Sequence, residues 1–126
     1  MTTWFTADLH FGHRNIIRYC NRPFTDVDHM NESLVDNWND TVVDDDTVWV
    51  LGDVAMGRID ESLALVGRLT GHKILVAGNH DRCWFGHGER CEEWEHRYLE
   101  AGFERIVQGS THIDVGGTRV LACHFP

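Results

Sequence analysis

Four short apolar runs in this chain each stop at a polar residue able to bind a metal ion, and that pattern limits the fold more than any other feature of the sequence. Trp4 to Ala7 runs into Asp8-Leu-His10, and Thr47 to Leu51 into Gly52-Asp53. Lys73 to Ala77 runs into Gly78-Asn79-His80-Asp81, and Thr118 to Cys123 into His124. Runs of this length, rich in Val, Leu, Trp and Thr, read as strands. Helical stripes separate the first three. Val27, Met30, Leu34 and Trp38 follow Asp26, a residue suited to cap the first turn, and Ile59, Leu63, Val66 and Leu69 precede Gly71, a helix terminator. Alternating strand and helix predicts an α/β fold with parallel strands. In open α/β sheets the ends of the strands form the ligand crevice, so Asp8, His10, Asp53, Asn79, His80 and His124 are expected to meet there.

The rest of the chain adds little chemistry. His112 to Val115, Gly116-Gly117 and Thr118 to Cys123 read as a β-hairpin whose glycine pair accepts positive φ. Residues 83–102 carry no clean period, apart from a helical stretch over Glu92 to Glu100. A length of 126 residues predicts one domain, residues 1–126, without repeats or a linker. The start Met1-Thr-Thr-Trp-Phe has neither a basic segment nor a long apolar one, no stretch approaches the ~20 apolar residues of a membrane span, and the four cysteines form no Cys-x-x-Cys pair. A cytoplasmic protein with reduced thiols and no membrane partner is expected.

The spacing of the strand-end residues has a chemical reading. Asp8 and His10, two apart, lie on one side of an extended chain and can share an ion. Asp53 follows a glycine that leaves room for close backbone approach, and its two oxygens can bridge two cations. Asn79 offers an amide oxygen and His124 an imidazole nitrogen to the second. Mixed oxygen and nitrogen ligands suit Mn²⁺, Zn²⁺ or Fe better than a Ca²⁺ cage. Two such ions ~3.5–4 Å apart can hold a hydroxide and the phosphoryl oxygens of a substrate during in-line displacement, which is phosphoester hydrolysis. His80 is then placed to contact the phosphoryl group or protonate the leaving oxygen, with Asp81 orienting it.

These blocks resemble a known family. Asp8-x-His10, Gly52-Asp53, Gly78-Asn79-His80-Asp81 and a strand-terminal His124 match, in order, four of the five motif blocks of calcineurin-like metallophosphoesterases. Asp8-Leu-His-Phe-Gly-His-Arg-Asn-Ile-Ile17 and Asn21-Arg-Pro-Phe24 look like a bacterial and phage branch of them. The resemblance implies a two-sheet α/β sandwich with flanking helices. It implies two divalent metal ions, one on Asp8, His10 and Asp53 and the other on Asp53, Asn79 and His124, with His80 as catalytic histidine. The Asp-Arg-Gly continuation of protein phosphatases is absent after Asp53, where Val54-Ala-Met56 stands, so protein phosphatase activity is not expected. The family's last block, Gly-His-x-His, gives each metal one histidine and is absent from these 126 residues. A C-terminally incomplete fold is therefore expected, with each ion one ligand short, weak metal occupancy, and a homodimer that covers exposed sheet surface.

Substrate contacts are expected from His13 and Asn15 in the loop after the first block, where an ordinary helix start explains them nearly as well, and from Arg82 after the third, where a surface salt bridge is an equal alternative. The substrate is a phosphomonoester or phosphodiester. A net charge of −9, from 11 basic and 20 acidic residues, favours a small molecule or nucleotide over polymeric nucleic acid. The alternative is a non-catalytic metal-binding or interaction protein on the same fold. Cys83, His87, Cys91 and His96 have the ligand types of a structural zinc site but not its compact spacing. His29, His72, His96 and His112 are expected to be exposed.

Overall fold

The computed structural model describes residues 1–126. Strands β1 (Thr3–Thr6), β2 (Thr47–Val50), β3 (His72–Val76) and β4 (Arg105–Val107) form one parallel sheet in the order β1-β2-β3-β4. Helix α1 (Arg14–Tyr19) follows β1. The crossovers contain α2 (Val27–Thr41), then α3 (Ile59–Ala64) with a 3-10 turn over Leu65–Arg68, then α4 (Cys91–Ala101). Strands β5 (Ser110–Val115) and β6 (Thr118–Cys123) pair antiparallel as a separate hairpin around Gly116 and Gly117, both at positive φ.

Strand order fixes the layers. Each crossover steps one strand in the same direction, and right-handed connections then put every helix on one face of the sheet. Val48, Val50 and Leu75 pack under those helices with Val35, Trp38, Ile59, Leu63, Val66 and Tyr98. On the opposite face Trp49 and Val76 pack against Ala122 of β6, with Ile74, Val107 and Ile113 around them. The result is the expected two-sheet α/β sandwich. No backbone hydrogen bond joins the hairpin to the parallel sheet. Its attachment is this small apolar contact and the His124 ring, whose Nδ1 lies 2.7 Å from the Leu51 carbonyl oxygen.

Local chemistry accounts for most elements. The Asp26 side chain accepts from the His29 amide at 2.8 Å and opens α2, which buries Met30, Val35 and Trp38; Val35 was outside the expected stripe. Ile59, Leu63, Val66 and Leu69 are all buried, but the α-helix ends at Ala64 and tightens into the 3-10 turn. Gly67 sits in that turn and the chain reverses at Gly71, so a full α-helix is not sustained. Strand β4 was not anticipated. No helix is long and apolar enough to cross a membrane, and all four cysteines are free.

Candidate metal centre

The loops leaving β1 and β2 run side by side. The Asp8 amide donates to the Gly52 carbonyl at 3.0 Å, His10 to Asp53 at 3.0 Å and Phe11 to Val54 at 2.9 Å. Asp8, His10 and Asp53 all hold left-handed backbone, with φ of 56°, 54° and 57°; only Asn21 shares that property among the non-glycine residues. Asp8 and His10 therefore do not converge through extended chain, as their spacing suggested. They converge because a left-handed turn lies on each side of buried Leu9. Such conformations cost of order 1–3 kcal/mol each and concentrate at functional sites.

Two groups hold this loop pair in place. The Arg22 guanidinium donates to the Asp8 carbonyl at 2.7 Å and the Leu9 carbonyl at 3.0 Å. Asp81 is fully buried and its carboxylate accepts from the amides of Asp53 at 2.8 Å, Val54 at 2.9 Å and Gly78 at 2.8 Å. Asp81 was expected to orient His80. Its oxygens are instead taken up by backbone, and it ties the Gly-Asp loop to the Gly-Asn-His-Asp loop. Burial pushes its carboxyl above the usual range, and the three amides pull against that.

With the loops so fixed, the side chains meet. The ligand atoms of Asp8, His10 and Asp53 all lie within 4.8 Å of one another, and no other such group of His, Cys, Asp or Glu forms in the molecule. His10 Nε2 is 3.6 Å from Asp53 Oδ2 and 3.8 Å from Asp8 Oδ1. On the other side His124 Nε2 is 3.5 Å from Asp53 Oδ1 and 3.1 Å from Asn79 Oδ1. Asp53 thus turns one oxygen to each histidine. Burial pushes the His10 imidazole below its ordinary value, opposed by Asp53, which favours the neutral form that metals bind. The glycines are part of the cradle: a Cβ on Gly52, at φ +89°, would lie 2.3 Å from His124 Nδ1, and one on Gly78 would lie 2.5 Å from Asp53 Oδ1. Close-set carboxylate, imidazole and amide donors around one two-faced carboxylate fit divalent cations.

His80 touches this set without joining it. Its amide donates to Asp53 Oδ1 at 3.0 Å and its Nδ1 lies 2.9 Å from Asp53 Oδ2, so Asp53 rather than Asp81 orients the ring. His13 stacks on His10 with centroids 5.2 Å apart and an Nδ1 to Nδ1 distance of 3.0 Å. Burial, then repulsion from His80, lowers its pKa. Exposed Asn15 lies on the rim of a cavity of about 750 Å³ between the first loop and α2 and α3. Arg82 lies on the other side, beside Asn79 and His80. The zinc alternative fails: Cys83 is fully buried, His87 Nε2 bonds the Asn79 carbonyl at 2.8 Å, and His96 is exposed. His29, His72 and His112 are also exposed, His72 in an ion pair with Glu104.

The profile of calcineurin-like phosphoesterases matches residues 1–125. The chain belongs to that family. Among its relatives, an uncharacterised protein, MJ1445, of Methanocaldococcus jannaschii is 42% identical over 93 residues, covering 72% of this chain and 52% of its own length. The Gene 66 protein of Mycobacterium phage L5 is 39% identical over 136 residues, covering 98% of this chain and 63% of its own. A symmetrical bis(5'-nucleosyl)-tetraphosphatase of Xanthomonas campestris is 41% identical over 64 residues, 49% of this chain and 19% of that protein. The crystal structure of a protein of unknown function, AQ665, from Aquifex aeolicus superposes with a TM-score of 0.76 at 28% identity, over 100% of this chain and 62% of that one. This calcineurin-like chain thus spans about half to two thirds of the length of MJ1445 and the phage protein.

Proposed function

We propose that this chain hydrolyses a phosphomonoester or phosphodiester at a two-cation centre made by Asp8, His10, Asp53, Asn79 and His124. The observation that carries the reading is the Asp53 carboxylate, one oxygen 3.6 Å from His10 and the other 3.5 Å from His124. A single bridging group of this kind serves two ligand sets, Asp8 and His10 on one side and Asn79 and His124 on the other. Divalent cations, when bound, supply Lewis acidity and activate water.

The protein's own groups do the rest. Asp53 fixes the His80 ring through Nδ1, and Nε2 has no protein partner, so it can hold the proton for the leaving oxygen. Arg82 offers a guanidinium to phosphoryl oxygens on the same side, and His13 and Asn15 approach the substrate from the first loop. Asp81 and Arg22 keep the loops in register. The substrate is a small phosphoester or nucleotide. Support comes from the net charge of −9, and from a relative that is a nucleosyl tetraphosphatase over about half of this chain.

The test is hydrolysis of a chromogenic phosphodiester and monoester with and without Mn²⁺. Activity is expected to require the added ion and to vanish in excess chelator, and Asp53→Asn is expected to do more harm than Asp8→Asn. Undiminished hydrolysis in chelator contradicts the proposal, and metal binding with no turnover of either ester favours the non-catalytic alternative.

A further inference from the structure

In a chain with nearly two acidic residues for every basic one, a pocket of about 390 Å³ is lined by Asn79, His80, Arg82, His87, Arg90 and Trp94, with no carboxylate among them. It begins at His80, the residue whose other contact is Asp53. One of its two arginines is held ready. The Arg82 guanidinium lies 4.9 Å over the Trp94 ring, which carries Arg97 at 4.5 Å as well. The arginine ion pairs of the molecule involve Arg58, Arg68, Arg90 and Arg97, so Arg82 has no acidic partner. Arg90 has only Glu93, three residues on and 3.7 Å away with both side chains exposed, a contact too weak to compete with a phosphate. His87 Nε2 donates to the Asn79 carbonyl at 2.8 Å, its one hydrogen-bond partner, which fastens the far wall of the pocket to a candidate metal ligand.

From this we infer that the pocket is a subsite for a second phosphate of the substrate, so that the chain acts on phosphoesters carrying a further phosphate next to the one that reacts. The inference rests on the phosphoesterase reading for where the reacting phosphate lies, beside Asp53 and His80. The geometry of the pocket stands apart from it. A lone phosphate at the metal centre can draw on Arg82 but leaves Arg90 unneutralised, whereas a second phosphate meets both planar guanidinium groups, one of them already immobilised on an indole face. The volume lies within the range of small-molecule sites, enough for a phosphate and part of the group that follows it.

The experiment is a titration of metal-free protein with tripolyphosphate and, separately, orthophosphate, followed by the guanidinium NMR signals of Arg82 and Arg90 and by calorimetry. Omitting the metal removes both catalysis and chelation from the readout. Tripolyphosphate is expected to shift both arginines and to bind at least about tenfold more tightly than orthophosphate, and Arg82→Gln/Arg90→Gln is expected to abolish that preference. Arg90→Gln alone, at an exposed position, is expected to reduce it with the fold untouched. Unshifted arginines, or a preference that survives in both variants, overturns the inference even if the protein proves to be a metal-dependent esterase. Shifts of both arginines in the parent, together with a preference that disappears in the double variant, uphold the subsite even if no hydrolysis is found.

Discussion

Replacing Asp81 with asparagine separates a structural role for this carboxylate from a catalytic one. Its Oδ2 accepts from both Asp53 and Gly78, and its Oδ1 accepts from Val54. Asparagine can keep its oxygen on the first pair, and its NH₂ then faces the Val54 amide, donor against donor. One charge-assisted bond lost contributes about 1.5–3 kcal/mol. Some of this is recovered, because burial already pushes the Asp81 carboxyl up and a neutral amide is less costly to bury. A net loss of roughly 1–2.5 kcal/mol lowers the melting temperature of a domain this size by roughly 4–10 °C. Differential scanning calorimetry measures the shift, and Mn²⁺ affinity is expected to fall with it, because the same amides position Asp53. A melting temperature within about 2 °C of the parent, together with lost turnover, refutes this reasoning and returns Asp81 to the role of orienting His80.

Two further outcomes follow from groups away from the centre. Arg22→Gln removes the donations to the Asp8 and Leu9 carbonyls that brace the left-handed turns, and is expected to weaken Mn²⁺ binding about 10–100-fold in calorimetric titration; unchanged affinity shows that the turns hold without it. The Trp4 indole, with the Val43 and Thr2 amides, holds the Asp46 carboxyl below its usual range. A depressed carboxyl stabilises the fold above its unfolded-state pKa of about 3.9 and loses that contribution as the pH falls through the lower folded-state value. Urea midpoints are therefore expected to fall more steeply on acidification in the parent than in Asp46→Asn, and parallel curves contradict the assignment.

Much of this was legible in the sequence because strand ends, helical stripes and glycine positions are set by local chemistry. Of the three runs before Asp8, Asp53 and Asn79, β2 and β3 are central strands of continuous apolar character, β1 is an edge strand legible through its Trp-Phe pair, and the hairpin announced itself through Gly116-Gly117. Strand β4 was not legible: three residues, Arg105-Ile-Val107, half-buried at the edge of a sheet, carry too little pattern to separate from a loop. What tertiary structure alone supplies was hidden as well. The left-handed φ of Asp8, His10 and Asp53 follows from the pairing of two loops distant in sequence, and an aspartate forming three backbone bonds looks in sequence like any other Asp after a histidine. Arg22 stood in a recognisable Asn-Arg-Pro-Phe segment, yet nothing local indicated that its guanidinium reaches back to Asp8.

The bridging role of Asp53, which would serve two ions at once, underlies the two-cation reading. Its most direct test is the number and affinity of Mn²⁺ ions bound per chain, measured by calorimetric titration and checked by elemental analysis, in the parent and in Asp53→Asn. Two ions are expected in the parent, and weakening of both sites by the single substitution, because one site meets an NH₂ in place of an oxygen and the other keeps only a neutral amide oxygen where a charged carboxylate stood. One ion in the parent, or a variant in which one site weakens and the other binds as before, contradicts a bridging carboxylate.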